Sequence, residues 1–337
     1  MPFSELPSSE TSFSQRVGWA AGQPISELMA RALAQPDLIS LAAGFVDQQT
    51  LPAEATALAI RSLWEDPEAA RSALQYGTTA GDPSLREKLS QRFVDQNPGV
   101  RPPTLDQVIV TAGSNQLLQL VSECLVNPGD IVLCASPTYF VYLGTLANLG
   151  ARSYGIDIDE HGMVPAALEA AFARLERTGE LGRVKAIYLV PYFDNPCGIT
   201  MPLSRRAELV DLAKRWSRHQ HIYVIADEAY RDLRYEGSDV PTTALVDQEG
   251  DTVVVTSSFS KSFSPGLRVG WGVLPESLVA PTCNQKGNID FGSPNFNQHV
   301  MARILDLGLF DRHVKSICHS YRRKLDAMLV GLDEHLK

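Results

Sequence analysis

The sequence predicts an α/β fold: a mainly parallel sheet with helices on both faces, and a smaller α/β unit beside it. Three observations predict it. From residue 105 onward, short runs that are apolar at nearly every position alternate with stretches whose apolar residues recur at helical spacing. That is the pattern of a sheet buried on both faces. The chain has 337 residues, which suits one large core and a second small one, since single cores stop growing at roughly 250–300 residues. Beyond residue 285 the alternation ends and only helical periodicity remains.

The elements follow in chain order. The opening stretch, rich in Ser, Pro and Gly, reads as an extended arm. QVIVT (107–111) is the first strand, and SNQLLQLVSECLV (114–126) the helix after it. NPGD (127–130) punctuates, IVLCA (131–135) is the next strand, and TYFVYLGTLANLG (138–150) is a helix with a glycine stop. VKAIYLV (184–190) and HIYVIADE (221–228) are strands around the helix LSRRAELVDLAKRWSR (203–218). DTVVVTSS (251–258) and LRVGWGVL (267–274) complete the series. The last connection is too short for a parallel crossover, so LRVGWGVL is expected to be antiparallel.

Composition narrows the function classes. A net charge of −9, spread along the chain, repels phosphate backbones and argues against nucleic acid as a partner. No basic start followed by an apolar stretch marks a signal peptide, and no apolar run reaches the ~18 residues of a membrane span. Five widely spaced cysteines, with no C-x-x-C, fit reduced thiols in a cytoplasm better than a disulfide frame. No metal site is expected, and His219 and His221 read as an exposed turn before a strand.

In an open α/β sheet, ligands bind beyond the carboxyl ends of the strands. The residues found there are Gly113, Ser114 and Asn115 after the first strand, then Tyr139, then Asn195 in PYFDNPCG. Asp227 and Tyr230 close HIYVIADEAY; Ser258, Ser260 and Lys261 close DTVVVTSSFSK, with Arg268 seven residues on. Each has a task if the ligand is an aromatic aldehyde carrying a phosphate. Gly113, Ser114 and Asn115 open a helix, whose free amides and dipole favour a phosphate. Arg268 adds a bidentate cation. Lys261 can form an imine. Asp227 would be costly to bury alone but stable beside a protonated ring nitrogen. Tyr139 offers a face for stacking, and Asn195 and Tyr230 can hydrogen-bond the ring hydroxyl oxygen.

Taken singly these residues have plain readings: a solvated loop lysine, a helix-capping aspartate, a core tyrosine, a turn asparagine. Their occurrence together at successive strand ends is what carries the argument. SSFSKSFSPGLRVGW resembles the cofactor-lysine segment of class I/II aminotransferases. DEAY, NPCG (NPTG in that family), AGSNQ, PTY and YGTTAGDPSLREKL match further family segments in the family's order, over roughly residues 35–337. ISLAAG and GSPNFNQ are similar to the kynurenine/2-aminoadipate aminotransferase branch.

The resemblance implies a fold type I enzyme with pyridoxal 5'-phosphate (PLP) held as a Schiff base on Lys261, moving amino groups between amino acids and 2-oxo acids by a ping-pong mechanism. It implies a seven-stranded sheet and a small domain built from both chain ends: 1–45 as arm and part of the small domain, 46–285 as the large domain, 286–337 as the start of the C-terminal part. Lys261, Asp227 and Tyr230 would be catalytic. Gly113, Ser114, Asn115, Tyr139, Asn195, Ser258, Ser260 and Arg268 would join them in binding the cofactor. A homodimer is implied, in which Tyr76 reaches the phosphate in the neighbouring subunit. Gly44 and Asn195 would face the substrate.

Other readings compete with this one. A β-lyase or decarboxylase could use the same fold. Ser258–Lys261 also spells the S-x-x-K of penicillin-binding proteins, but no S-D-N accompanies it, and Arg177-Thr178-Gly179 is the nearest approach to K-T-G. A non-enzymatic PLP-binding sensor would carry a winged helix-turn-helix in front, for which the arm leaves no room. Family members also carry an arginine for the substrate carboxylate beyond the position of Lys337. With Leu325, Met328, Leu329 and Leu332 in the last helix lacking a partner segment, the chain is expected to be a fragment.

Overall fold

The computed structural model describes residues 13–20, 24–35, 37–39, 44 and 46–336. One sheet is built from β1 (Val108–Thr111), β2 (Ile131–Ser136), β3 (Arg152–Asp159), β4 (Gly162–Met163), β5 (Val184–Leu189), β6 (Tyr223–Asp227), β7 (Val253–Ser258) and β8 (Gly270–Val273). Their order is β1-β8-β7-β6-β5-β2-β3-β4. The run β7, β6, β5, β2, β3 is parallel. As its short connection requires, β8 is antiparallel, lying between β1 and β7.

The strands are apolar throughout because both faces are covered. Val253 and Val255 enter one core cluster while Val254 enters the other; Val224 and Ile225 divide in the same way. Each such side chain, fully buried, contributes about 1.5–3 kcal/mol. Helix Ser114–Leu125 and helix Glu276–Asp290 pack together on one face, while helices Pro165–Arg177 and Leu203–Trp216 cover the other.

The expected sheet of seven strands needs correction to eight. The extra member is the two-residue β4, paired antiparallel at the edge of β3. Neither strand stood out in the sequence, because β3 buries only Ile156 fully along Arg152–Asp159. The boundary expected at residue 285 falls inside helix Glu276–Asp290. The next helix, Asn295–Asp306, packs on helices Ala53–Trp64 and Pro83–Asp95. Gln298 fixes this contact: its Oε1 accepts from the Asp82 amide at 2.7 Å, and Asp82 in turn caps helix Pro83–Asp95. Within 1–45, residues 1–12, 21–23, 36, 40–43 and 45 lie outside the described residues, so of ISLAAG only Ile39 and Gly44 are described. In helix Leu309–His335, the residues Met328, Leu329 and Leu332 are exposed.

Candidate active site

All the parallel strands end on one edge, and the polar residues predicted there converge. Asp227 is the last residue of β6 and is 5% exposed. Tyr188, in β5, donates its hydroxyl to Asp227 Oδ2 at 3.1 Å, and the Ala229 amide donates to Oδ1 at 3.3 Å. Among the described residues no cation forms an ion pair with it. Burial therefore pushes its carboxyl up to about 6, against the lowering effect of those two donors.

Lys261 stands on the single helical turn Phe259–Ser262, which begins where β7 ends. Ser258 caps this turn, its Oγ accepting from the Ser260 amide at 3.0 Å. The Lys261 ammonium donates to the Gly44 carbonyl at 3.2 Å and lies 5.9 Å from the centre of the Tyr230 ring. Burial lowers its pKa, with the Asp227 charge acting in the opposite direction. The S-x-x-K alternative is not assembled: the Ser258 hydroxyl donates to Ser260 Oγ, not to the lysine.

A second cluster forms the floor. Gly113 has φ +84°, the left-handed region, and helix Ser114–Leu125 begins directly after it. Arg268 Nη2 donates to the Ala112 carbonyl at 3.0 Å, and Nη1 to Ser260 Oγ at 3.4 Å. Gly270 makes the close approach of β8 possible, since a Cβ there would stand 2.3 Å from the Gly113 carbonyl carbon. Amides at a helix N-terminus beside a guanidinium and two serine hydroxyls could seat a phosphate.

The walls are aromatic. The Tyr139 hydroxyl donates to Asn115 Oδ1 at 3.3 Å, and burial raises its pKa. Asn195 Nδ2 donates to the Tyr230 hydroxyl at 3.5 Å, and burial pushes Tyr230 up to about 12, so it stays a neutral phenol. A cavity of about 710 Å³ opens above, lined among others by Gly44, Asn195, Tyr230, Lys261, Tyr321 and Lys324. Tyr76 is not part of it: it is 83% exposed and meets Phe291 edge-on at 5.8 Å.

Tyr188 was not singled out in the sequence. In a buried strand it is indistinguishable from core, and its signal, one hydroxyl among aliphatic neighbours, becomes meaningful only once β6 lies beside β5. Tyr142 stacks on it at 4.1 Å and is held by Ser122 at 3.0 Å.

The residues present fit an aromatic aldehyde with a phosphate. They supply a buried carboxylate lacking a cation, a lysine depressed by burial, and an anion seat between flat side chains. The unpaired state of Asp227 has a stability signature. A carboxyl raised in the folded state contributes fully below its unfolded value, near 4, and that contribution is lost as pH rises through about 6. In cofactor-free protein, Asp227→Asn is expected to gain roughly 3 kcal/mol relative to wild type between pH 4 and pH 8. Denaturant unfolding at the two pH values checks it, and parallel curves would contradict it.

Residues 36–337 match the family model described as aminotransferase class I and II. An aromatic-amino-acid aminotransferase 1 of Thermococcus litoralis is 31% identical, over 97% of this chain and 76% of the relative. The kynurenine aminotransferase of Pyrococcus horikoshii, solved with PMP, kynurenine and its product, superposes with a TM-score of 0.88 at 32% identity, over 97% of this chain and 78% of that one. An α-aminoadipate aminotransferase of Thermus thermophilus, complexed with N-(5'-phosphopyridoxyl)-L-leucine, gives a TM-score of 0.82 at 30% identity, over 97% and 77%. The chain belongs to the class I and II aminotransferases of fold type I, PLP-dependent enzymes that move an amino group between an amino acid and a 2-oxo acid by a ping-pong route.

Proposed function

We propose that Lys261 is the lysine that carries the cofactor and the base that works on the substrate, with Asp227 as the counter-charge to the ring nitrogen. The observation that carries this is a buried Asp227 without a cation, on the same strand edge as a lysine whose pKa burial lowers. When bound, PLP supplies the aldehyde that takes up the amino group and a ring that delocalises the electron pair left at Cα. Lys261 Nζ, whose pKa burial lowers, takes and returns the proton at substrate Cα. Asp227 keeps a proton on the ring nitrogen, and the Tyr188 hydroxyl aims the carboxylate.

Asn195 and Tyr230 hydrogen-bond the ring hydroxyl oxygen, and Tyr139 covers one ring face. Gly113, Ser114, Asn115, Ser258, Ser260 and Arg268 seat the phosphate, and Gly44 and Asn195 face the substrate. Tyr76 serves the neighbouring subunit of a homodimer, a reading supported by its outward position beside the exposed Phe291. A cytoplasmic location is supported by five cysteines that are all free. No described helix is long and apolar enough to cross a membrane.

The amino donors are aromatic amino acids or 2-aminoadipate, as the relatives' names suggest. Tyr235 and Tyr321, edge-to-face at 6.5 Å on the cavity wall, leave room and rings for a large side chain. The test is to mix PLP-loaded enzyme with a panel of amino acids. The expected result is conversion of the cofactor to its pyridoxamine form, with one oxo acid released per site and the largest rates for aromatic donors. Steady ammonia and pyruvate release from cysteine-type substrates would instead indicate a lyase.

A further inference from the structure

Lys286 is a buried charge that does not line the cavity. Its side chain is 0% exposed, inside helix Glu276–Asp290, and it donates to Asp290 Oδ1 at 2.8 Å and Oδ2 at 3.0 Å. A buried ion pair is weak evidence for stability, because apolar residues of similar volume often serve as well. Its use lies in what it orients.

Asp290 Oδ2 also accepts from Gln116 Nε2 at 2.6 Å. That bond decides which way the Gln116 amide faces. Its Oε1 accepts from the Ala112 amide at 2.7 Å, with the Ser293 hydroxyl donating to the same oxygen at 3.5 Å. The Ala112 carbonyl is meanwhile held by Arg268 Nη2 at 3.0 Å. Ala112 is therefore clamped at both backbone polar groups. Gly113, with its left-handed backbone, and the Ser114 amide follow immediately. A rotation of Ala112 would swing those amides away from a phosphate.

We infer that the Lys286–Asp290 pair, its lysine buried and its aspartate half-buried, is a positioning element for the phosphate end of the cofactor, acting through Gln116 on the backbone of Ala112. Lys286 fixes Asp290, Asp290 fixes the Gln116 amide, and Gln116 fixes the turn. Lys286 also neutralises a carboxylate that would otherwise repel a phosphate from behind the seat. The inference rests on the cofactor reading above, and the experiment separates the two.

Cofactor-free protein is titrated with PLP and, separately, with pyridoxal, which has the same ring and aldehyde but no phosphate. Binding is followed by absorbance. The variant is Lys286→Met combined with Asp290→Leu, which removes both charges together and leaves neither buried alone. PLP affinity is expected to fall about tenfold or more, as for loss of one well-aligned charged contact, while pyridoxal affinity stays within about twofold. Lys286→Arg, which keeps the pair, is expected to bind PLP as wild type does. Unchanged PLP affinity in the double variant would overturn the inference. So would an equal loss for both aldehydes, which is also what a disrupted fold produces. Wild-type protein that binds neither aldehyde would overturn the cofactor reading itself.

Discussion

Replacing Lys261 by Ala is expected to abolish turnover, with kcat falling on the order of 10⁴-fold or more, the upper range for removal of a positioned acid–base group that is also the covalent anchor. The cavity wall and phosphate seat do not depend on this side chain. Among the described residues its hydrogen bond to the protein is one donated to the Gly44 carbonyl at 3.2 Å, at the cavity surface. The turn that carries it is held by Ser258 and by packing of Phe259 and Phe263, both buried. The variant is thus expected to fold and to bind PLP without a covalent link. Single-turnover kinetics with an aromatic amino acid check the size of the loss. Residual turnover within tenfold of wild type would mean that another group removes the Cα proton.

Asp227→Asn is expected to lower kcat at least about tenfold, or ~1.4 kcal/mol, with little change in KM. Asn keeps the shape and can still accept from the Tyr188 hydroxyl, but it removes the charge. An opposite charge at contact shifts a pKa by ~1–3 units, so the ring nitrogen then loses its proton near neutral pH. The interaction that disappears matters most when negative charge develops at Cα, which places the loss in kcat. PLP remains bound, since Lys261, Ser114 and Arg268 lie on other elements. The same substitution is expected to stabilise the cofactor-free fold above pH 6, because burial raises the Asp227 carboxyl. A residue whose removal steadies the empty protein and cripples the working one is held in place for chemistry. If Asp227 were only a cap for the turn after β6, Asn would serve nearly as well.

Much of this was legible because the fold places its chemistry at strand ends. Six strands are nearly continuous apolar runs, and the residues just beyond their ends bring Gly113, Tyr139, Asn195, Asp227 and Lys261 to one edge. The antiparallel β8 was legible from a connection too short to cross over. What escaped was of two kinds. Strand β3 lies near the sheet edge, where alternate positions face solvent, so Arg152–Asp159 never reads as a buried run. Helix Glu276–Asp290 contains Pro281 and lacks a clear apolar stripe, so its span does not show in the periodicity. The supports of the site were hidden for another reason. Tyr188, Gln116 and Lys286 look like ordinary strand and helix residues, and acquire a role only through partners 39, 174 and 4 positions away. Spacing within one element carries no sign of the first two contacts.

The most direct measurement is borohydride reduction of the PLP-loaded protein, followed by proteolysis and mass analysis of the labelled peptide. Loss of the visible absorbance and a single pyridoxyl label on Lys261 are expected. A label on Lys286 or Lys324, or no label on a protein that takes up no PLP, would contradict this.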